Sequence, residues 1–280
     1  MSEPRRFAQV DVFTAEPLRG NPLAVVIDAA GLDEAQMAAF ARWTNLSETT
    51  FLLPPTDAAA DYRVRIFTPG GELPFAGHPT LGSAQVWLAA GGDAKKPGEV
   101  VQQCGIGLVR VRRDGARLAF AAPALKRSGP VAEPGLRAQA ARSLRLAESE
   151  LLDLVWVDNG PGWMAARLRD AEQVRALRPD FAAMQGLKLG VVGACPAGAP
   201  EQFEVRAFVP GLGVPEDPVT GSLNAGLALW LQSAGLAPDR YIACQGAALG
   251  RAGKVHVARD GEHCWIGGDV TPLIHGQLRL

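Results

Sequence analysis

The sequence carries one short motif twice, half a chain apart. Residues 65–70 read RIFTPG and residues 206–211 read RAFVPG, a shift of 141 positions in a chain of 280. A two-residue slip near the following loop also brings Gly82-Ser83 onto Gly221-Ser222. Chance identities in loops rich in proline and glycine are the alternative, but the order and spacing of the matches agree. The repeat therefore predicts that one supersecondary unit occurs twice.

The same succession of local patterns accompanies each copy of the motif. An alternating strand leads into a loop of glycines and prolines, and an apolar helix follows, at 79–90 in the first copy and at 222–234 in the second. Because neither helix has a polar face, we expect strands to enclose both. Asp114-Gly115 and Asp260-Gly261 predict matching hairpin turns further along. Amphipathic patterns predict surface helices at 33–44, 136–147 and 170–184.

These patterns predict an α+β fold with two pseudo-symmetric lobes, each made of β-strands wrapped around a central buried helix. A chain of 280 residues is also too long for one ordinary core. Turn-forming and charged residues collect at 124–135. We therefore place the N-terminal lobe at 1–127 and the C-terminal lobe at 128–270.

The charge balance argues against nucleic acid or an anionic membrane as a partner. Lys and Arg total 28 and Asp and Glu total 29, for a net charge of −1, and no segment is strongly basic. No apolar run is long enough to span a bilayer, and the N-terminus lacks the apolar core of a signal peptide. The four cysteines are scattered, which is typical of buried thiols in a reducing compartment. We therefore expect a soluble cytoplasmic protein.

The two junctions between loop and helix are the strongest candidates for a functional site. His78-Pro79 marks the first junction and Asp217-Pro218 the second. Proline suits the first turn of a helix because its missing N–H would be unpaired there. If the lobes face each other across a pseudo-twofold axis, both helix N-termini point into one cleft. Free N–H groups and helix dipoles would favour a carboxylate ligand in that cleft.

Purely structural roles are the alternative at these junctions. Asp217, Thr220 or Ser222 could be ordinary helix N-caps, since these residue types dominate that position. His78 could be a hydrogen-bonded histidine without a chemical role. The occurrence of two matched junctions favours a functional interpretation of both.

Glu48 lies where a predicted helix ends and an apolar strand begins, in NLSETTFLLPP. It could belong to a capping arrangement or to a solvated strand start. However, a carboxyl group at the mouth of a partly apolar strand is suited to general acid/base catalysis. We therefore treat Glu48 as a candidate proton-transferring group.

The remaining motifs argue against a cofactor, a metal or a further ligand. The sequence has no GxGxxG run that opens a helix, no GxxxxGK[ST] loop and no GxSxG elbow. The four histidines show no metal-ligand spacing with the cysteines. Asn21 and Asn159 occur in the tight loops GNP and DNGPG, where asparagine is typically a turn former. We therefore expect neither a cofactor nor a metal ion.

Four stretches together resemble the PhzF-like family of phenazine biosynthesis: VDVFTAEPLRGNPLAVV, NLSETTFLL, RIFTPGGELPFAGHPTLGSA and PEDPVTGSLNAGLA. They extend from residue 10 to residue 228 in the family's order. The resemblance implies a diaminopimelate-epimerase-like fold, in which two lobes each wrap strands around a central helix. It also implies that the final strand, at 271–280, returns to the N-terminal lobe.

The resemblance further implies a reaction and a set of site residues. The family's best-understood member isomerises a dihydro-hydroxyanthranilate by moving a proton without a cofactor or a metal. The glutamate that moves the proton matches Glu48, and a histidine and an aspartate of the family's motifs match His78 and Asp217. Leu223 stands where a smaller residue is commoner and could alter the pocket. The positions expected to bind the substrate are Ser47, Gly77, Thr220, Gly221 and Ser222.

A two-thiol racemase, the other large branch of this fold, is disfavoured. Such enzymes use one cysteine from each lobe, placed at the helix starts. In this chain those places read FAGH at 75–78 and DPVT at 217–220, without a cysteine.

We therefore expect a cofactor-independent isomerase that shifts a proton within a small, carboxylate-bearing, unsaturated or cyclic substrate. Glu48, His78 and Asp217 should then line one pocket. One alternative is a binding protein for small carboxylates that has no turnover. Another is a hydrolase or lyase in which Glu48 activates water. A homodimer is one open alternative for the assembly.

Overall fold

The computed structural model describes residues 3–212 and 214–280. The α-helices are α1 (Glu34–Thr44), α2 (Gly77–Ala89), α3 (Leu136–Leu144), α4 (Ala171–Ala176) and α5 (Gly221–Ser233). The first nine strands are β1 (Arg5–Val12), β2 (Asn21–Val26), β3 (Glu48–Leu53), β4 (Tyr62–Thr68), β5 (Gly71–Leu73), β6 (Glu99–Cys104), β7 (Gly107–Asp114), β8 (Arg117–Ala121) and β9 (Arg127–Pro130). The others are β10 (Asp153–Asp158), β11 (Met164–Arg167), β12 (Leu189–Ala194), β13 (Phe203–Val209), β14 (Val214–Asp217), β15 (Arg240–Gln245), β16 (Gly253–Asp260), β17 (His263–Gly268) and β18 (Val270–Leu278).

The chain forms two compact units. One contains Met1–Ala121 together with Gly267–Leu280, and the other contains Ala122–Ile266. These borders lie several residues before the lobe borders expected at 127/128 and 270/271. Within residues 3–212 and 214–280, no helix is long and apolar enough to cross a lipid bilayer.

In the first unit, the last strand of the chain lies beside the first. β18 pairs antiparallel with β1, which pairs antiparallel with β2. β2 and β3 are parallel neighbours joined through α1, because parallel pairing requires a crossover connection. β4 lies antiparallel to β3 and β5 and parallel to β6. β7 and β8 then continue as antiparallel neighbours.

The second unit repeats this order of pairings. β9 takes the place of β18 beside β10, and β10 pairs antiparallel with β11. β11 and β12 are parallel neighbours joined through α4. β13 lies antiparallel to β12 and β14 and parallel to β15, which pairs antiparallel with β16. The repeated topology agrees with the internal repeat of the sequence, and the predicted α+β class is confirmed.

An arginine–glutamate pair accounts for the arginine of the repeated motif. Nε and Nη2 of Arg65 donate to the two carboxylate oxygens of Glu72 at 2.7 and 2.6 Å. In the second unit, Nε and Nη2 of Arg206 donate to the two oxygens of Glu216, both at 2.8 Å. Each pair joins the two strands that precede a central helix, β4 with β5 and β13 with β14. Such bidentate pairs fix geometry as well as charge.

The phenylalanine of the motif lies under the same arginine in both units. The guanidinium carbon of Arg65 is 5.1 Å from the ring centre of Phe67, and that of Arg206 is 5.1 Å from the ring centre of Phe208. Both distances are within the range of a cation–π contact. The repeated sequence R-x-F therefore makes the same contacts in both units.

The two central helices, α2 and α5, are buried as predicted. Each is 13 residues long, and most of its residues, including polar ones, are inaccessible to solvent. α2 packs against strands that include β1, β2, β3 and β8, and α5 packs against β10 and β16. Each helix is thus covered by the strands of its own unit.

The structure aligns the two copies of the repeat differently from the two-residue slip that the sequence suggested. Gly77 opens α2 and Gly221 opens α5, so Gly221-Ser222 corresponds to the start of the first helix, and its match to Gly82-Ser83 is wrong. Gly82 corresponds instead to Gly226, the sixth residue of its helix. A Cβ at Gly82 would lie 2.5 Å from Cδ2 of Leu23, and one at Gly226 would lie 2.3 Å from a backbone oxygen of a covering strand. Both glycines allow the close approach of strand and helix.

The surface helices agree with the predicted positions, with one large difference in length. α1 begins after Asp33, whose side chain accepts from the N–H of Gln36 in a capping box. α3 ends at Leu144, three residues before the expected end. The helix expected at 170–184 ends at Ala176, since Pro179 disfavours helical backbone in the residue before it.

Both expected hairpin turns are present. Gly115 has φ 65° in the two-residue loop between β7 and β8, and Gly261 has φ 59° in the loop between β16 and β17. Glycine adopts this left-handed conformation without steric cost.

The two arginine–glutamate pairs should differ in their contribution to stability. The side chains of Arg206 and Glu216 are 5% and 6% exposed, whereas those of Arg65 and Glu72 are 24% and 36% exposed. Arg206→Met leaves a buried carboxylate without its cation and should lower the free energy of unfolding by about 3–5 kcal/mol. Arg65→Met, the matched control, should cost about 1 kcal/mol or less. Urea denaturation of both variants measures the difference. Equal losses would show that burial does not set the cost.

Candidate active site

Glu48 and His78 lie side by side in the first unit. Glu48 is the first residue of β3 and closely follows Asn45, whose left-handed backbone (φ 53°) ends α1. His78 is the second residue of α2. The side chains of His78 and Glu48 are 3% and 13% exposed, and Nε2 of His78 lies 3.5 Å from Oε2 of Glu48. A carboxylate and an imidazole are thus in contact in a largely dry environment.

His78 is neutral and directs one N–H toward Glu48. Burial lowers the pKa of His78 from 6.5 to about 3. Nδ2 of Asn21 lies 3.2 Å from Nδ1 of His78, and because an amide nitrogen can only donate, Nδ1 accepts this hydrogen bond. The neutral ring then carries its hydrogen on Nε2, the atom that faces Glu48. His78 can therefore donate to the carboxylate but is a weak proton acceptor.

The start of α2 adds backbone donors beside His78. Gly77 is the first helical residue, and Ala76 before it provides no side-chain cap. The N–H groups of a first helical turn have no acceptor within the helix, and the helix dipole favours an anion at this end. Ser47 lies half-buried in the bend that precedes Glu48. This arrangement can bind an anion next to the carboxylate of Glu48.

Ser222 has the position in α5 that His78 has in α2. Its hydroxyl oxygen accepts a hydrogen bond from Nε1 of Trp163 at 3.0 Å. Its backbone oxygen accepts one from Nδ2 of Asn159 at 2.8 Å. Since the indole N–H donates to the Ser222 oxygen, the hydroxyl hydrogen is left to donate to another group.

Asp217 and Thr220 form a short hydrogen bond before α5. Asp217 is the last residue of β14, and Thr220 is the residue directly before the helix. The hydroxyl of Thr220 donates to Oδ2 of Asp217 at 2.6 Å. Of the three residues considered as N-caps, Thr220 occupies the N-cap position of α5, although its side chain makes no capping hydrogen bond, and Asp217 and Ser222 do not occupy it. Pro218 likewise lies before the helix and not in its first turn.

The predicted site residues therefore form one group in each unit. Glu48 and His78 lie in the first unit with Ser47 and Gly77. The second group is Asp217, Thr220, Gly221 and Ser222.

Leu223 packs inside the second unit. It is 0% exposed, and its Cδ1 would lie 2.4 Å from a Cβ built at Gly190 on β12. The missing side chain of Gly190 makes room for Leu223. The volume of Leu223 is thus accommodated by a glycine of its own unit.

Two asparagines expected to be turn formers contact the second residue of each central helix. Asn21 contacts the ring of His78, and Asn159 donates to the backbone of Ser222. Both asparagines are buried, at 0% and 1% exposure, so the turn-former interpretation misses their main contacts. Asn21 begins β2 and Asn159 directly follows β10, so both lie at the connection between the first two strands of their repeat. This shared location is a sequence signal that could have found them.

Comparison with known proteins indicates the family and the fold to which the chain is similar. A family model described as phenazine biosynthesis-like protein, PhzC-PhzF, matches residues 10–276. The chain is 34% identical to antisense-enhancing sequence 1 of Schizosaccharomyces pombe, over 97% of each chain. It is 35% identical to the trans-2,3-dihydro-3-hydroxyanthranilate isomerase of Pseudomonas aeruginosa, over 91% of each chain.

Solved structures are similar over the whole length. A phenazine biosynthesis protein of the PhzF family from Enterococcus faecalis superposes with a TM-score of 0.79 at 26% identity, with 100% of both chains covered. A probable proline racemase from Agrobacterium radiobacter superposes with a TM-score of 0.63 at 15% identity, covering 99% of this chain and 93% of that one. The second likeness concerns the fold alone. Together they confirm the predicted diaminopimelate-epimerase-like fold.

The buried neutral His78 should make the folded protein less stable in acid. In the unfolded chain the imidazole titrates near 6.5, whereas its folded pKa is about 3, so the unfolded state binds the extra proton. The contribution of His78 to stability is therefore complete above about pH 6.5 and is lost as the pH falls toward about 3. At about pH 5 the loss should be about 2 kcal/mol.

Urea unfolding of the wild-type protein and of His78→Gln, at about pH 7.5 and about pH 5, isolates this contribution. The wild-type protein should lose about 2 kcal/mol more than the variant between these two conditions. Equal losses in both proteins would mean that His78 titrates normally in the folded state.

Proposed function

Since the chain belongs to the PhzC-PhzF family of phenazine biosynthesis-like proteins and is an isomerase of that family, we propose that it moves a proton within a small carboxylate-bearing substrate, with Glu48 as the acid/base. The reaction needs no cofactor: a C–H bond breaks at one carbon, the double bond shifts, and a C–H bond forms at another carbon. Glu48 takes up the proton and returns it.

The contact between Glu48 and His78 carries this proposal. Of the two side chains, only Glu48 is a suitable base, because an imidazole whose pKa is about 3 holds a proton poorly. Nε2 of His78, which carries the hydrogen of the neutral ring, lies 3.5 Å from Oε2 of Glu48. His78 thus acts as a neutral donor that orients Glu48.

The residues before and within the first turn of α5 are proposed to bind the same substrate. The hydroxyl of Ser222, which accepts from Trp163, can donate to a substrate carboxylate. N–H groups at Gly221 and at Gly77 are the backbone donors that a helix start offers to an anion. Asp217 is proposed to relay a proton or hold a polar substituent, and Thr220 contributes by its bond to Asp217. We also propose that Ser47, beside Glu48, contacts the substrate.

The substrate to try first comes from a relative's name. The Pseudomonas aeruginosa relative is a trans-2,3-dihydro-3-hydroxyanthranilate isomerase. That compound is small, cyclic and unsaturated and carries a carboxylate, which is the substrate class proposed above.

Glu48→Gln should abolish most of the turnover. The amide keeps the shape and hydrogen-bonding ability of the side chain but cannot take up and return a proton. General acid/base groups contribute about 10²–10⁴-fold, so kcat should fall at least about 10²-fold. KM should change much less, because the backbone donors and Asp217 remain. Steady-state kinetics with trans-2,3-dihydro-3-hydroxyanthranilate measure both constants.

Ser47→Ala is the matched control, because it alters a neighbour of Glu48 that does not transfer the proton. It should reduce kcat far less than Glu48→Gln does. Near-full activity of Glu48→Gln would show that another group, Asp217 or His78, is the base. Water addition or bond hydrolysis by the wild-type protein would instead favour the hydrolase or lyase alternative.

A further inference from the structure

A buried glutamine stands behind Asp217 and Thr220 in the second unit. Gln245 is the last residue of β15 and is 1% exposed. Its Oε1 accepts from the backbone N–H of Thr220 at 3.0 Å and from Nδ2 of Asn224 at 2.9 Å. Its Nε2 donates to the backbone oxygen of Asp217 at 3.0 Å and to Oγ1 of Thr220 at 2.9 Å. Both donor hydrogens and the acceptor oxygen of the amide are therefore used.

The orientation of the Gln245 amide is fixed by backbone groups. A backbone N–H can only donate, so the atom facing the Thr220 nitrogen must be the amide oxygen. A backbone carbonyl can only accept, so the atom facing the Asp217 oxygen must be the amide nitrogen. A flipped amide would lose both bonds, and burial makes that loss costly.

The orientation of the Gln245 amide determines which group accepts the hydrogen bond from the Thr220 hydroxyl. A hydroxyl has one hydrogen to donate, and the Thr220 oxygen already accepts from Nε2 of Gln245. The hydrogen is therefore directed to Oδ2 of Asp217, 2.6 Å away. A distance in this range is typical of a hydroxyl that donates to a charged carboxylate, a bond about twice as strong as a neutral one.

We propose that Gln245 is a positioning residue that, through Thr220, holds Asp217 as an ionised carboxylate at the start of α5. We call the hydrogen bonds from Gln245 to Thr220 and from Thr220 to Asp217 the relay. A bond from Gln245 also holds the backbone oxygen of Asp217, and the bond from Thr220 favours the ionised form of its carboxylate. This role rests on the proposed function only in so far as Asp217 contacts the substrate. The proton arrangement itself is a property of the ligand-free protein.

The first unit contains a matched relay that ends on a different group. Gln102 on β6 is also buried, and its Nε2 donates to Oγ1 of Thr80 at 3.0 Å. The hydroxyl of Thr80 donates to the backbone oxygen of Ala76 at 2.9 Å. Both glutamines lie on the strand that runs parallel to the strand of the repeated motif. Only the relay of Gln245 ends on a titratable side chain, so Gln102 supplies a control.

The test is a titration of the Asp217 side chain by ¹³C NMR in protein labelled at aspartate, with Asp217→Asn used to identify the signal. In Gln245→Met the amide that donates to the Thr220 oxygen is lost without adding a charge, so the Thr220 hydroxyl can rotate away from Asp217. Thr220→Val removes this donor directly. Because a lost hydrogen bond favours the protonated form, the titration midpoint of Asp217 should rise in both variants, by about one pH unit or more in Thr220→Val. Gln102→Met should leave it unchanged.

An unchanged midpoint in Gln245→Met, with a raised midpoint in Thr220→Val, would overturn the role of Gln245. Unchanged midpoints in both would overturn the whole relay. If Gln245→Met does not fold, Gln245→Leu replaces it, since it also removes the amide without adding a charge and should also raise the midpoint. The titration needs no substrate, so its outcome is independent of the proposed reaction. Where turnover is measurable, the acid limb of kcat/KM should move to higher pH in the same two variants.

Discussion

The burial of two helix N-termini is the constraint on which the rest of the structure depends. The first N–H groups of a helix have no acceptor within it, and a buried polar group without a partner costs about 1–3 kcal/mol. At the start of α5, the amide oxygen of Gln245 meets part of this need by accepting from the backbone N–H of Thr220. Asn21 and Asn159 are donors instead, to the ring of His78 and to the backbone oxygen of Ser222. These contacts hold the surroundings of each start rigid, which is what binding an anion there requires.

The two units have the same topology but carry different side chains at equivalent positions. β3 begins with Glu48, whereas the equivalent strand β12 begins with Leu189, which is fully buried in an apolar cluster. The second helical residue is His78 in one unit and Ser222 in the other. The titratable pair thus occurs in the first unit, and the second unit presents a hydroxyl and a carboxylate fixed by hydrogen bonds.

The sequence predicted the features that depend on local pattern. The apolar helices, the hairpin glycines and the R-x-F repeat are readable because periodicity and turn chemistry act over a few residues. The residues it missed act over long separations: Gln245 reaches Thr220, and Trp163 reaches Ser222. A neutral amide or an indole carries no motif, since its role depends on which strand the fold places beside it. The two-residue slip was also wrong, because neither central helix starts with a side-chain cap that the sequence could reveal.

The central claim is that Glu48 exchanges a substrate proton, and its most direct test is isotopic. Trans-2,3-dihydro-3-hydroxyanthranilate and a panel of small unsaturated carboxylates would each be incubated with the protein in deuterated water, recovered and analysed by mass spectrometry. The wild-type protein should introduce solvent deuterium at carbon in at least one compound, and Glu48→Gln should introduce none. Binding of these compounds without any exchange, or equal exchange by Glu48→Gln, would contradict the account.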